Sequence, residues 1–444
     1  MRRSTRIVIA AGLAAGLFLA GGVGLFRALP TRSASRPRAV EHDALLGPSA
    51  PVGSIDGAIA ALDRRLSVAP DDWRAAASLG IAYVQRARIT ADPSSYPLAE
   101  EALARSLRIR PRGNGDALVG RSSLAAARHD FANALRWGRR AVVVNPYDAD
   151  AYGTLGDAQL ELGRYGAAFR TFQRMVDTRP DTASYARASY ARELTGDVGG
   201  AVAAMRLAFR VAAGRSDQAW AATQLGQLRF TAGDRAGAAR WFRRAATLDP
   251  GFVPARAGLG LVAWSRGDLD AAILRFSAVV SRYPSPEYVG ILADLQAAAG
   301  DRPAAAETRR LVRAEIRLFR ANGVDTDLEL ALFEADHGSA RAALRAARAG
   351  WRRRHSVHVA DALAWALYAN GRDREAAAAS RAALRLGTRN ALFLFHAGMI
   401  RLRLGDRDRA RSFLAAAIAQ NPWFSVRWSP VAARTLARLE PGSS

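Results

Sequence analysis

The chain has 444 residues, half of them hydrophobic, and it contains neither cysteine nor lysine. The first absence excludes disulfides, thiolate metal sites and cysteine nucleophiles, and the second excludes Schiff-base chemistry and any phosphate loop that needs lysine. With 64 basic and 40 acidic residues the net charge is +24, which favours attraction to something anionic.

The N-terminal residues 1–26 have the pattern of a signal anchor. Residues 7–26 carry no charge and follow a short basic head, and a run of this length can cross a bilayer as one transmembrane helix. A cleaved signal peptide is the alternative, and arginines on both sides leave the topology open. The basic head favours a cytoplasmic N-terminus with the rest of the chain outside the cytoplasm. Gly12 and Gly16 have GxxxG spacing, which does not decide whether copies form a homodimer.

A Pro-, Ser- and Arg-rich stretch at residues 27–53 predicts a flexible tether. Beyond it, the residues between 149 and 180 predict two amphipathic helices joined by a turn at Gly163. Small residues such as Ala168 stand where the helices must approach, and Phe172 fills the space beside them. Such a hairpin cannot bury its apolar face alone and needs copies of itself on either side.

Copies of this hairpin recur along the chain with a period of about 34 residues. The unit from 54 to 424 comprises a half-repeat cap at 54–70 and ten hairpins, which are predicted to start near residues 73, 115, 149, 182, 219, 253, 286, 324, 357 and 391. Residues 425–444 predict a capping helix and a frayed tail. The repeat that starts at Trp73 is about seven residues too long, and we expect the excess in its inter-helix loop around Pro93 and Pro97.

The period and its positional pattern resemble the tetratricopeptide repeat (TPR) of bacterial proteins, here behind an N-terminal membrane anchor. That resemblance implies an all-α, right-handed superhelical solenoid whose first helices line a concave groove. It also implies a non-catalytic scaffold that binds protein or peptide segments, without a cofactor. A membrane-anchored scaffold of this kind is the function that the sequence favours.

The resemblance also assigns the groove, chiefly to repeat positions 2, 5, 9 and 12. The resulting partner-binding candidates in this chain are Tyr190, Glu193, Trp220, Thr223, Gln227, Phe230, Trp264, Asp294, His358, Asp361, Trp365, Tyr368 and Phe395. Only Arg74 is basic at these positions and none carries asparagine at position 9, so the carboxylate-clamp mode is not expected. Packing between repeats is the alternative role for each aromatic side chain.

The sequence contains little evidence for metal binding or catalysis. His355, His358 and Asp361 have a helical spacing that could suit a metal, but the neighbouring run of arginines would repel a cation. No nucleophile motif or phosphate loop is present. Paired arginines along the second helices suggest an alternative function, a basic surface that binds anionic polymers such as an envelope polymer, membrane headgroups or nucleic acid. Nucleic acid is the least favoured of these because no RNA-binding motif accompanies them.

Overall fold

A computed structural model of the chain describes residues 52–440. Within that range there are 22 helices and no strand. In chain order they are α1 (Val52–Val68), α2 (Trp73–Thr90), α3 (Ser95–Ile109), α4 (Gly115–Ala127), α5 (Phe131–Val144), α6 (Ala149–Glu161), α7 (Tyr165–Thr178), α8 (Thr182–Leu194), α9 (Val198–Val211), α10 (Arg215–Thr231), α11 (Arg235–Leu248), α12 (Val253–Ser265), α13 (Leu269–Arg282), α14 (Pro286–Ala298), α15 (Arg302–Ala321), α16 (Asp327–His337), α17 (Ala340–Arg353), α18 (Val357–Ala369), α19 (Asp373–Ala383), α20 (Ala391–Arg403), α21 (Arg407–Gln420) and α22 (Ser429–Ala437).

Local sequence fixes the turn inside many of the hairpins. In the fourth, Gly196 adopts a left-handed backbone conformation with φ of +78°, which ends the first helix. Asp197 follows it, and its carboxylate accepts a hydrogen bond from the Gly200 backbone N–H at 2.8 Å. This N-cap satisfies one of the free N–H groups at the start of the second helix. The same Gly–Asp pair recurs at 233, 267, 300 and 405.

In several hairpins the two helices approach so closely that only glycine fits at repeat position 8. A Cβ atom at Gly156 would lie 2.4 Å from the Phe172 ring, and one at Gly226 would lie 2.6 Å from the Phe242 ring. Both phenylalanines are at most 2% exposed. Close backbone contact at a small residue, filled by a large side chain from the facing helix, therefore sets the hairpin geometry predicted from the repeat pattern.

The first helices lie inside the curve of the solenoid and the second helices outside it. Successive first helices contact one another, as α2 does α4 and α16 does α18, whereas successive second helices touch marginally at most. Burial follows the same division. Twelve of the 13 residues of α6 are buried, but only four of the 14 residues of α7. The inner helix α6 is thus enclosed nearly all round.

One expectation about the first full hairpin was wrong. Its extra residues do not lengthen the loop, which spans only residues 91–94, because α2 continues for 18 residues to Thr90. The segment QRARIT is a good helix former, and α2 stops only where Ala91 turns left-handed at φ of 59°. The longest helix of the described residues is α15, which has 20 residues.

The solenoid closes on itself. Among the described residues, seven hydrogen bonds or ion pairs join residues that are 189 to 197 apart in the sequence, which is between five and six repeats of about 34 residues. We call α2–α13 the first coil, α14–α22 the second coil, and the contact between them the seam. At every one of these contacts the first coil contributes the turn region inside a hairpin. The second coil contributes residues at or beside a connection between hairpins.

Many of the contacts across the seam are hydrogen bonds to backbone carbonyls. The Thr388 hydroxyl donates to the Leu194 carbonyl at 2.6 Å, and the Tyr283 hydroxyl donates to the Arg88 carbonyl at 3.0 Å. The Val357 backbone N–H donates to the Tyr165 hydroxyl at 2.7 Å. Carbonyls near helix C-termini lack intrahelical partners, so the facing coil supplies some of the bonds that solvent would otherwise make.

An ion pair is buried in the seam between α6 and the end of α17. Arg354 Nη1 lies 3.1 Å from Glu161 Oε2, and the two side chains are 2% and 1% exposed. Burial raises the pKa of Glu161 to about 7 despite the opposing charge of Arg354. Such a pair adds little net stability, but it makes the coil–coil register specific because either charge left alone would be costly.

The predicted membrane span, residues 7–26, lies outside the described residues, as does all of the tether except its last two residues. Those two residues begin α1. Between residues 52 and 440 no helix combines the length and the apolar character needed to cross a bilayer.

Because of the seam, we expect two glycine substitutions to differ in how much they lower the free energy of unfolding. Gly163→Ala and Gly267→Ala both place alanine at a positive φ, which costs about 1–2 kcal/mol. Only at Gly163 would the new Cβ lie 2.5 Å from the His355 carbonyl oxygen, whereas nothing lies within 4 Å of the one at Gly267. We expect Gly163→Ala to lose about 1–3 kcal/mol more in urea unfolding. Equal losses would show that the coils do not pack in solution.

Candidate binding surface on the concave face

Apart from Thr223, the groove candidates are twelve residues, half of which are buried and half of which are partly exposed. Six are at most 9% exposed, namely Tyr190, Trp220, Phe230, Asp361, Trp365 and Phe395. The other six are only partly buried, namely Glu193, Gln227, Trp264, Asp294, His358 and Tyr368. Thr223 is also buried and donates to the Ala219 carbonyl. The inner face is therefore narrower and more enclosed than an open groove, and much of its aromatic surface is covered by the chain itself.

In the second coil, four candidates come together around His396. The Trp365 ring stacks on the His396 ring with centroids 4.1 Å apart and on the Tyr368 ring at 4.7 Å. Phe395 lies 5.8 Å from Trp365. Asp361 lies 3.0 Å from His396 Nδ1, and both side chains are almost fully buried. These side chains come from α18 and α20, the inner helices of successive hairpins.

Residues 423–428, which we call the C-terminal segment, cover this group. The Trp428 indole N–H donates to Asp336 Oδ2 at 3.2 Å, and the Trp365 indole N–H donates to Asp336 Oδ1 at 2.7 Å. Trp428 also lies 5.4 Å from the Trp365 ring and 5.5 Å from the Phe395 ring. Phe424 packs against Phe395 at 5.6 Å. One carboxylate on α16 thus accepts from two tryptophans on separate parts of the chain.

The start of the same segment reaches the first coil. Trp423 packs on the cluster that contains Phe230 and Trp264, and the Arg235 guanidinium stacks on its ring at 4.8 Å. Val426 is 9% exposed and belongs to the cluster built from α12, α13 and α14. The C-terminal segment therefore runs across the inner face and contacts both coils.

Other candidates have different neighbours. Tyr190 packs with the seam residues Tyr165 and Val357, and Trp220 packs against α9. His358 meets the Phe393 ring edge-on at 5.5 Å. Asp294 lies 3.4 Å from His337 Nε2. The candidates thus form no continuous stripe along the solenoid.

A small cavity of about 20 Å³ lies on the inner face between α10 and α14. Gln224, Gln227 and Glu287 line it. One carboxylate oxygen of Glu287 and the side-chain oxygen of Gln224 are buried without a hydrogen-bond partner. Polar side chains from α10 and α14 thus line this cavity on the inner face.

Burial dominates the electrostatics of the inner face. It raises the pKa of Glu193 to about 7 and that of Glu287 to about 8. It also raises the pKa of Asp294 to about 6, although nearby Arg427 and Arg309 favour the carboxylate. The His358 imidazole shifts the other way, to a pKa of about 4, because burial disfavours its charged form. The inner face therefore holds acids that protonate near neutral pH.

Sequence reasoning missed the residues that complete the site. Asp336 stands at the end of α16, Phe424 is the last residue of the predicted repeat unit, and Arg427 and Trp428 belong to the stretch predicted only as a cap. The available signal was three aromatic residues within the C-terminal segment, directly after the proline that ends the last repeat. Such a density of aromatic side chains in a short connection is unusual for a frayed end.

Metal binding gains no support from the geometry. In the part of the chain that the structure describes, no group of three or more potential ligands is assembled. Asp361 lies 3.0 Å from His396 Nδ1. His355 precedes α18, where its ring lies 4.4 Å from the Trp351 ring.

The arginine runs lie mainly on the outer wall, as expected for second helices. Both residues of the pairs on α5 and α11 are exposed. The run at 352–354 differs because Arg354 is buried in the seam. There it lines a cleft of about 660 Å³ together with Arg128, Arg320 and Asp325. Arg320 and Arg353 pair with Asp327 and Asp325 at 2.7 Å each, so acids already neutralise much of the positive charge in this cleft.

The raised pKa of Glu193 predicts a pH dependence of stability. The native state holds this proton more tightly than the unfolded chain, so its stabilising effect is complete below pH 4.5 and is lost as pH rises through about 7. In Glu193→Gln we expect the decline in unfolding free energy between pH 5 and pH 8 to shrink, by at most about 3 kcal/mol. Urea unfolding at both pH values measures it. The exposed Glu307→Gln is the matched control and should keep the original slope.

A profile of the tetratricopeptide repeat family matches residues 112–183 and 257–315. A second profile of the same repeat matches residues 393–422. These segments include hairpins of both coils and the inner helix that carries Phe395. A sequence search of curated proteins found no match.

Several solved structures align with this chain at low identity. The APC/C hetero-tetramer Cut9–Hcn1 aligns at 15% identity over 82% of this chain and 76% of that chain, with a TM-score of 0.40. Yeast Tom70 aligns at 14% identity over 87% and 86% of the two chains, with a TM-score of 0.34. Pseudomonas aeruginosa PilF aligns at 16% identity over 48% and 92%, with a TM-score of 0.36. With the family matches, the described helices identify this chain as an all-helical solenoid that contains tetratricopeptide repeats.

Proposed function

We propose that this protein is a non-catalytic scaffold whose concave face binds an extended segment of a partner polypeptide. The bound segment carries aromatic anchors and a neighbouring basic residue. The observation that carries this proposal is the C-terminal segment, which already binds to the concave face in this manner within one chain. It serves as a built-in ligand whose contacts indicate the chemistry that the face accepts.

The anchoring contacts are specific rather than merely apolar. Asp336 fixes the orientation of the Trp428 indole by accepting its N–H, while the Trp365 and Phe395 rings hold its faces and edges. Burial raises the pKa of Asp336, and the hydrogen bonds from both indoles and the positive charge of Arg427 oppose that shift. A partner tryptophan with an adjacent arginine would contact the same two rings and the same carboxylate.

The fold supports binding of this kind because the site is ordered in advance. Trp365 and Phe395 are at most 4% exposed and belong to one packed cluster. Seam contacts hold the two coils in register, so a partner segment does not have to order the surface that it binds. Preorganisation of this type favours affinity by lowering the entropic cost of association.

Competition between the C-terminal segment and a partner can be tested in the full chain. Trp428→Ala removes the intramolecular anchor, so a labelled peptide with the sequence of residues 421–430 should bind this variant at least about tenfold more tightly than the unaltered chain. Adding Asp336→Ala should then weaken the peptide again by about tenfold, because a charged hydrogen bond is lost. Fluorescence anisotropy measures the dissociation constant of the labelled peptide for each variant.

Trp241→Ala is the matched control, because this tryptophan lies on the outer helix α11 and packs against Phe209. It should leave peptide binding at the level of the unaltered chain. A peptide in which both tryptophans are replaced by alanine should not bind the Trp428→Ala variant. If the intact peptide binds all the variants equally, or none of them, the concave face is not the binding surface.

A second function is favoured by the exposed arginine pairs. Arg139, Arg140, Arg243 and Arg244 are all exposed on outer helices, and the chain carries a net charge of +24. A basic outer wall suits an anionic polymer of the cell envelope or membrane headgroups. Such binding would fall steeply between low and moderate salt, unlike binding to the concave face.

We also propose that residues 7–26 tether the scaffold to a membrane with the repeats outside the cytoplasm. The uncharged length and basic head of that segment support this placement. Protease added to intact cells should then degrade the repeats without permeabilisation. Protection until the membrane is opened would reverse the topology but not the scaffold function. The mass of the isolated chain distinguishes a retained anchor from a cleaved signal peptide.

A further inference from the structure

The stacking of the coils leaves one edge of the first coil uncovered. Connections between hairpins of the second coil are buried against the first coil at residues such as Thr388, which is 8% exposed. The corresponding connections of the first coil have no coil beneath them. They begin with the junction between the N-terminal cap helix α1 and α2, followed by those between α3 and α4 and between α5 and α6. We call this uncovered set of connections the free edge.

Exposed large hydrophobic side chains concentrate on the free edge. Val68 is 86% exposed, Val143 83% and Tyr147 82%, and Val144 and Val211 at the same edge are 39% and 44% exposed. All five lie in the last turn of a second helix or in the connection that follows it. Apolar side chains exposed to this degree, and gathered at one edge, indicate an interaction surface rather than scattered surface residues.

Positive charge predominates beside Val143, Val144 and Tyr147. Residues 131–147 include three arginines and no acid, and Arg139 and Arg140 lie one turn before Val143 and Val144. The neighbouring stretch 102–115 includes four arginines and no acid. The two stretches are adjacent in space, since the Val144 side chain lies 3.8 Å from the Cβ position of Gly115.

We propose that the free edge docks on an anionic lipid bilayer, with Val143, Val144 and Tyr147 entering the interface and the arginines contacting lipid headgroups. This combination of chemistry distinguishes a bilayer from other anionic partners. Nucleic acid would use the arginines but offers no apolar layer for exposed valines. A bilayer interface accepts aliphatic side chains, an amphipathic tyrosine and arginines together. Docking at this edge is independent of what binds the concave face and of the membrane tether.

The absence of cysteine allows a position-specific test in the full chain. A single Tyr147→Cys substitution, labelled with an environment-sensitive fluorophore, reports insertion at the free edge. Leu274→Cys is the matched control, because Leu274 is 73% exposed on the outer helix α13 and away from this edge. The probes are phosphatidylcholine vesicles with and without about 30 mol % phosphatidylserine, an anionic lipid.

We expect a blue shift and a rise in emission at position 147 with the anionic vesicles, and neither at position 274. The double substitution Arg139→Glu and Arg140→Glu should weaken the response at position 147 by roughly tenfold or more, as should salt at about 0.5 M. Both arginines are exposed, so the fold should survive the change. A response to neutral vesicles alone, equal responses at both positions, a response only to a single-stranded oligonucleotide, or no response would each overturn the proposal.

Discussion

The contact between successive coils is the constraint on which the rest of the structure depends. At two turns inside hairpins of the first coil, glycine supplies both the positive φ and the space for a carbonyl of the second coil. Gly163 receives His355 and Gly196 receives Gly387, each at a distance that leaves no room for a side chain. The glycine that ends a helix therefore also determines how the two coils stack, because the same residue supplies the positive φ and the space for the facing carbonyl.

Closure of the coils changes what the inner face can do. A repeat solenoid with a wide curve presents its first helices to solvent as an extended groove. Here the turn is complete within about six repeats, so side chains on distant hairpins come close enough to touch. Asp336 and Trp428, 92 residues apart, are joined across the inner face for this reason. The same closeness buries carboxyl groups such as Glu193 and Glu287 and raises their pKa values.

Charge is distributed unevenly over the molecule. Acids on the inner helices lose hydration, and several pair with arginines, as Asp157 does with Arg187 at 2.7 Å. Arginines on the outer helices remain hydrated and many have no acid nearby. Of the two long edges, one is buried at the seam by the second coil and the other is left with exposed valines and arginines. A strongly basic protein with an acidic interior can thus offer separate surfaces to an aromatic peptide and to an anionic layer.

The sequence alone determined the hairpin, because a hairpin depends on neighbours in the chain. Gly–Asp turns, the small residue at Gly156 and the large one at Phe172 specify contacts within about 35 residues. Tertiary structure alone decided the number of repeats per coil, since small differences in packing angle add up over many hairpins. That number determines which residues meet across the seam and the inner face. Trp428 therefore read as part of a cap, and only the closed coil placed it against Asp336.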